Sequence, residues 1–99
     1  MVNRFAKQHA TDSNQAPIVK ALTAIGCKVY EMERPVDLLV EFRSIWVVLE
    51  VKNKDGLNKL TDAQVKFFEK TTAPAYIVRS PTEAIDAVQR AWRKLVINN

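Results

Sequence analysis

The stretch VDLLVEFRSIWVVLEVK, residues 36–52, decides the fold. Two runs of β-branched and aliphatic residues are separated only by Arg43 and Ser44, which predicts two antiparallel strands joined by a tight hairpin. Neither turn residue is glycine or asparagine, so the sequence leaves the turn type open. A two-residue loop sets Phe42 opposite Ile45, and the rest of the register follows from that pair.

This register divides the hairpin into an apolar face and a mixed face. The apolar face comprises Leu38, Val40, Phe42, Ile45, Val47, Leu49 and Val51. A slip of one residue would turn charged side chains toward the core, so the register is strongly specified. On the other face Asp37 lies opposite Glu50, with Cβ atoms roughly 4.5–5.5 Å apart. Lys52 shares that face because side chains alternate along a strand.

Asp37, Glu50 and Lys52 therefore form a candidate catalytic site. Opposed carboxylates destabilise a sheet. A divalent cation offsets that cost, and Mg²⁺ binds one or two carboxylates together with substrate phosphate and water. We expect Asp37, Glu50 and the backbone carbonyl of Val51 as metal ligands, with Lys52 orienting the nucleophilic water or stabilising charge on the phosphate. Neutralisation of the two carboxylates by Lys52 alone is the structural alternative.

The E-x-K tripeptide is weak evidence by itself. Six glutamates and nine lysines in 99 residues give about half a chance occurrence per chain. Its conjunction with Asp37 on the facing strand is what favours a site.

The flanking sequence predicts a mixed sheet between helices. Strands are expected over 27–32, 36–42, 45–52 and 75–80, and helices over 12–25 and 61–71 with a third after Ser80. Each helix start carries a capping-box pair: Asp12 with Gln15, Thr61 with Gln64, and Ser80 with Glu83. The predicted fold is α/β (α+β), with an α-β-β-β-α-β core and an extra C-terminal helix.

Composition indicates one small globular domain over residues 1–99, with 1–11 as a flexible basic arm. The net charge of +4 suits a polyanionic partner. A single cysteine, Cys27, excludes an intramolecular disulfide and a cysteine-built zinc site. The sequence shows neither a signal core nor a transmembrane run, so we expect a cytoplasmic protein without a membrane partner.

Three linked blocks resemble the PD-(D/E)xK nuclease superfamily, most closely its small phage-type and VRR-NUC members. They are VDLLVEFRSIWVVLEVKN, LTDAQVKFFE and AYIVRSPTEAIDAV, and the similarity spans roughly residues 12–90. It implies a restriction-endonuclease-like fold and a Mg²⁺- or Mn²⁺-dependent DNA endonuclease, located in the host cytoplasm if phage-encoded.

The resemblance also assigns residues. Asp37, Glu50 and Lys52 match the family's metal-ligand and lysine positions, and Gln64 matches a glutamine near the active site. Gln64 is equally explained as the capping partner of Thr61. Many relatives carry a glutamate in the first helix, where this chain offers Gln15 as an accessory candidate.

Other features of the chain extend the functional hypothesis. Lys54 and Lys59, in the loop NKDGLNK, are expected to contact DNA phosphates, although a solvated loop explains them too. Cleavage of both strands by so small a domain suggests a homodimer, and no small-molecule cofactor is expected. The rival interpretations are a catalytically inactive DNA-binding module with the same fold and a protein-interaction module.

Overall fold

The computed structural model describes residues 14–53 and 59–97. Its elements are α1 (Gln15–Ala24), β1 (Lys28–Glu31), β2 (Leu38–Phe42), β3 (Ile45–Val51), α2 (Asp62–Lys70), β4 (Ala75–Val78) and α3 (Pro81–Ile97). The predicted order of helices and strands is confirmed, including the extra C-terminal helix. The expected basic arm, Asp12 and Lys54 lie outside the described residues.

The four strands form one mixed sheet in the order β1-β2-β3-β4. β1 and β2 are antiparallel, β2 and β3 are antiparallel, and β3 and β4 are parallel. The parallel pair follows from the intervening helix α2, since a parallel connection needs a crossover and a hairpin cannot supply one. The protein is therefore α+β with helices flanking the sheet, as predicted.

The hairpin register is the predicted one. Phe42 pairs with Ile45, and the ladder continues to Leu38 opposite Leu49. Arg43 and Ser44 have φ values of 51° and 75°. Both are positive, as a two-residue type I′ turn requires to match the right-handed twist of the strands. Two non-glycine residues therefore occupy a backbone region that usually selects glycine or asparagine.

The Arg43 side chain compensates part of the cost of that turn. Its guanidinium lies 5.2 Å from the ring centroid of Phe42 and 4.9 Å from that of Trp92. Cation–π contacts of this kind stabilise by roughly 0.5–1 kcal/mol at exposed sites. They also link the turn to α3.

The predicted apolar face of the hairpin forms the core. Leu38, Val40, Val47, Leu49 and Val51 have no exposed surface, and Phe42 is 5% exposed. Ile45, at the turn, is half-buried. α1 and α3 cover this face with Ile18, Leu22, Ala84, Ala87, Val88 and Ala91. Small alanines on α3 let that helix approach closely, while α2 buries none of its residues.

The helix starts agree only partly with the predicted capping boxes. Thr61 and Gln64 form the complete box on α2. At α3, Ser80 Oγ accepts the Glu83 N–H, but Glu83 Oε1 accepts the N–H of Arg79 rather than that of Ser80. Glu83 therefore reaches back one residue further than the motif predicts.

The first helix starts later than predicted. It begins at Gln15 with Asn14 as N-cap residue, and no side-chain hydrogen bond caps it. The predicted role of Gln15 as capping partner is wrong, because a capping partner stands at the third helical position and Gln15 is the first. No helix among residues 14–53 and 59–97 is long and apolar enough to cross a membrane.

Substitution of Ser44 by glycine is expected to raise the free energy of unfolding by about 0.5–1 kcal/mol, because glycine removes the positive-φ cost. Urea denaturation measures the change. Ser80→Gly is the control, since there the same substitution removes a helix cap and should slightly destabilise the protein. A loss of stability in Ser44→Gly would contradict this account of the turn.

Candidate active site

The candidate functional residues lie at one end of the sheet, where several strands start or finish. β1, β3 and β4 end there and β2 starts there, because β2 runs antiparallel to its neighbours. All three helices begin at the same end of the sheet: Asn14 hydrogen-bonds the carbonyl of Lys52, Gln64 that of Pro35, and Ser80 lies two residues after the end of β4. Helix N-termini carry partial positive charge, so this end of the sheet favours anions.

Asp37 stands one residue beyond the last β2–β3 pair, so the register sets it across from Glu50. Its Oδ2 accepts the backbone N–H of Val51 at 2.8 Å. Its own backbone carbonyl accepts the N–H of Met32 at 2.7 Å. The carboxylate thus continues the hairpin ladder with a side-chain hydrogen bond, next to the backbone of Glu50.

Glu50 is a buried carboxylate, only 4% exposed. Its Oε2 lies 3.2 Å from Lys52 Nζ. Its Oε1 is also shielded from solvent and has no hydrogen-bond partner within the part of the chain that the structure describes. Buried polar atoms are nearly always paired, and an unpaired carboxylate oxygen is especially costly. One lysine therefore satisfies only half of this group.

The backbone next to Glu50 offers a further oxygen on the same side of β3 as Asp37. A strand residue directs its N–H and C=O to the same side of the strand. The Val51 N–H points to Asp37, so the Val51 carbonyl also lies on the Asp37 side of β3. The predicted third ligand is thus on the correct side of the strand.

The chemistry of these oxygen ligands suits a magnesium ion. Two carboxylates and a backbone carbonyl are hard oxygen ligands, and Mg²⁺ commonly takes one or two carboxylates and completes its shell with water and phosphate. Within residues 14–53 and 59–97 no group of three or more His, Cys, Asp and Glu side chains could hold a metal ion. The protein's contribution would therefore be limited to Asp37, Glu50 and a carbonyl, which leaves coordination positions for substrate.

Lys52 is also buried, with 9% exposure. Its Nζ donates to the carbonyl of Lys59 at 3.2 Å, in addition to the contact with Glu50. Its backbone N–H donates to the carbonyl of Val78 on β4 at 3.0 Å. The hydrogen bonds to the carbonyls of Lys59 and Val78 thus hold Lys52 beside the Glu50 carboxylate.

Gln64 links α2 to the loop that carries Asp37. Its Oε1 accepts the N–H of Thr61 at 3.1 Å, and its Nε2 donates to the carbonyl of Pro35 at 3.4 Å. Both proposed roles of Gln64, as capping residue and as neighbour of the site, are compatible with these contacts. Lys59 is exposed beside the site.

Gln15 is tied to a strand. It is 6% exposed, and its Nε2 donates to Glu31 Oε1 at 3.0 Å, at the end of β1. The amide therefore joins α1 to β1, and none of its observed contacts involves Asp37 or Glu50. The accessory role expected by resemblance stays a prediction without a contact to support it.

Asn14 is a residue that the sequence patterns did not single out. Its Nδ2 donates to the carbonyls of Lys52 at 2.9 Å and Arg79 at 2.7 Å, across 38 and 65 residues of chain. Its Oδ1 is buried and has no hydrogen-bond partner among residues 14–53 and 59–97. The one available signal was its position before α1. Asn14 clamps the ends of β3 and β4 to that helix.

Cys27 does not qualify as a nucleophile. It is 6% exposed, and burial raises the pKa of its thiol from 9.0 to about 11. The thiolate is the reactive form, so the side chain is inert near neutral pH and serves as a small apolar core residue.

Comparisons with protein-family models, with curated proteins and with solved structures found no match for this chain. Membership of the nuclease superfamily therefore stays a prediction from the residues that carry the resemblance.

Substitution of Asn14 by alanine is expected to lower the free energy of unfolding by about 1–3 kcal/mol, because two backbone carbonyls lose their donor. Asn14→Asp should be at least as damaging, since an ionised carboxylate has no donor to offer. Thr23→Ala, on the exposed side of α1, is the control in the same urea titration. Wild-type stability in both Asn14 variants would show that the clamp is not required.

The raised pKa of the Cys27 thiol predicts that the free energy of unfolding decreases in alkaline solution. Because its pKa is higher in the folded than in the unfolded chain, its contribution is complete below pH 9 and declines as pH rises toward 11. Unfolding at several pH values measures this slope, and Cys27→Ala should flatten it. An equal slope in the variant would contradict the assignment.

Proposed function

We propose that this protein is a metal-dependent endonuclease that hydrolyses phosphodiester bonds in DNA. The observation that carries the proposal is the buried carboxylate of Glu50, which has one oxygen paired with Lys52 and the other without a partner among the described residues. A metal ion bound to that second oxygen would offset the cost of burying it. Its neighbours Asp37 and Val51 supply oxygens of the kind that Mg²⁺ or Mn²⁺ binds.

Each residue has a distinct task in this proposal. Asp37, Glu50 and the Val51 carbonyl would hold the metal ion, which lowers the pKa of a bound water and stabilises charge on the phosphate when present. Lys52 Nζ, 3.2 Å from Glu50, is placed to orient the nucleophile or to neutralise charge that develops on the phosphate. Gln64 and Asn14 keep the loop and strand ends in position.

The surroundings of the site suit a polyanionic strand. The N-termini of α1, α2 and α3 converge on this end of the sheet, where the helix dipoles favour a phosphate, and Asp62 and Glu83 in the first turns of α2 and α3 offset part of that effect. Lys59 is exposed next to them, and Lys54 belongs to the same loop of the sequence. Contacts of this kind bind the backbone without reading bases, so the protein is proposed to select DNA structure rather than sequence. Junction-resolving activity is one form of such selection.

Two further parts of the proposal concern assembly and location. A domain of 99 residues offers one site of this kind, so cutting both strands of a duplex calls for a homodimer. A chain of this composition is proposed to act in the cytoplasm.

The second candidate is a catalytically inactive DNA-binding module with the same fold. The contact between Lys52 and Glu50 favours it, because the lysine already neutralises one carboxylate oxygen without metal. In that case the pair would be a buried ion pair that fixes the strand end. A protein-interaction module would contain the same pair.

Cleavage assays separate these candidates. Duplex, branched and single-stranded DNA are incubated with Mg²⁺, Mn²⁺ or a chelator. Lys52→Ala and Glu50→Gln are each expected to reduce the metal-dependent rate by roughly 100-fold or more, as loss of a charge-stabilising or metal-binding group does. Glu41→Gln is the matched control, because Glu41 is a half-buried carboxylate on the same face of the hairpin but at the other end.

The outcomes assign the function. Metal-dependent cleavage that survives in Glu41→Gln and is lost in the two site variants supports the nuclease. DNA binding without cleavage, unchanged by Lys52→Ala, identifies the inactive module. Absence of both binding and cleavage on every substrate contradicts both DNA hypotheses.

A further inference from the structure

Two exposed aromatic side chains lie on the face of the sheet that carries Asp37 and Glu50. Tyr30 on β1 is 52% exposed and Trp46 on β3 is 48% exposed. Tyr30 pairs with Leu39, and Trp46 pairs with Glu41, so both rings project from this face across β2. Their ring centroids are 6.1 Å apart with an angle of 40° between the planes. We call Tyr30 and Trp46 the aromatic pair.

The aromatic pair is continuous with the candidate active site. Leu39 and Val48, both half-buried, lie between the rings and the carboxylates. Trp46 precedes Glu50 by four residues on β3, which corresponds to about 13 Å along a strand. One strand of DNA advances ~3.4 Å per stacked nucleotide, so this distance equals roughly four nucleotides.

The exposed area is too small to explain the pair as a dimer interface by itself. An aromatic side chain buries 150–250 Å² when fully covered, so two half-exposed rings offer about 200 Å². A stable interface needs about 800 Å² from each partner. Ile77, which is 36% exposed, and the half-buried Leu39 and Val48 extend the same face, so a dimer through this wider face is the alternative occupant.

We propose that the aromatic pair stacks unpaired bases of a DNA strand whose phosphate lies at Asp37 and Glu50. This inference rests on the proposed nuclease function and deepens it, since it names the substrate class: DNA with unpaired nucleotides a few positions from the scissile bond. In a duplex the base faces are already stacked on one another, so only an unpaired base can offer its face to a ring.

One basic and one acidic side chain lie beside the rings, so stacking rather than charge would hold the bases there. Lys28 is exposed next to the aromatic pair on β1, where it pairs with Glu41. The phosphate groups themselves would be held at the other end, by the helix N-termini and Lys59. Binding would therefore combine stacking at one end of the sheet with phosphate contacts at the other, as single-strand binding surfaces do.

Trp46 fluorescence provides the direct test. The chain contains two tryptophans, and Trp92→Phe leaves Trp46 as the single emitter while retaining an aromatic ring beside Arg43. This variant is titrated with oligodeoxythymidine and with a blunt duplex, both in chelator so that no cleavage occurs. We expect saturable quenching by the single strand and little by the duplex.

Binding and cleavage of the aromatic variants complete the test. Trp46→Ala should weaken binding of the single strand by about 10-fold and Trp46→Phe much less, in line with the contribution of one stacked base. Cleavage of a duplex with a single-stranded flap should fall in parallel. Tyr76→Phe is the control, because Tyr76 is half-buried on the opposite face and faces away from the proposed strand.

Each outcome bears on the inference. Absence of quenching, or a Trp46→Ala variant that binds and cuts the flap substrate normally, overturns it while the nuclease function stands. A concentration-dependent dimer that buries Trp46 without DNA and is lost in Trp46→Ala also overturns it. Quenching by oligodeoxythymidine without cleavage of any substrate supports stacking and contradicts the nuclease.

Discussion

Burial of one face of the β2–β3 hairpin is the constraint on which the rest of the structure depends. Leu38, Val40, Val47 and Leu49 are fully buried between the sheet and helices α1 and α3. Because a strand alternates its side chains, this burial permits a single register. That register in turn sets Asp37 across from Glu50, and the Asp37 side chain completes it by accepting the Val51 N–H. The hydrophobic core thus holds two carboxylates opposite each other despite their mutual repulsion.

The charged groups of the site are incompletely paired, whereas the backbone that carries them is firmly held. Glu50 and Lys52 are both buried, and the lysine pairs with only one carboxylate oxygen. A buried ion pair of this kind contributes little net stability, since desolvation offsets the attraction. Its neighbours are nevertheless well anchored through Asn14, Gln64 and the β4 backbone. Firm anchoring around an unsatisfied carboxylate is compatible with the proposed metal site.

Sequence reasoning was most successful where the periodicity was strict. The strand alternation over residues 36–52 predicted the ladder pair for pair, and the Thr61–Gln64 box correctly located the start of α2. It failed at Gln15, which is the first helical residue and binds Glu31 instead of capping the helix. The capping motif depends on a three-residue offset, and nothing in the sequence distinguishes Asp12 from Asn14 as its origin. At α3, Glu83 accepts the N–H of Arg79 because its long side chain can reach one residue beyond Ser80.

The sequence by itself determined the fold class, the hairpin register and the proximity of Asp37, Glu50 and Lys52, because these follow from the alternation of one short stretch. Only the tertiary structure decided how those groups are satisfied. The clamp of Asn14 on Lys52 and Arg79 spans 38 and 65 residues, and the aromatic pair joins Tyr30 to Trp46 across a third strand. Contacts of such separation depend on how helices and strands pack in space, and no local pattern encodes them.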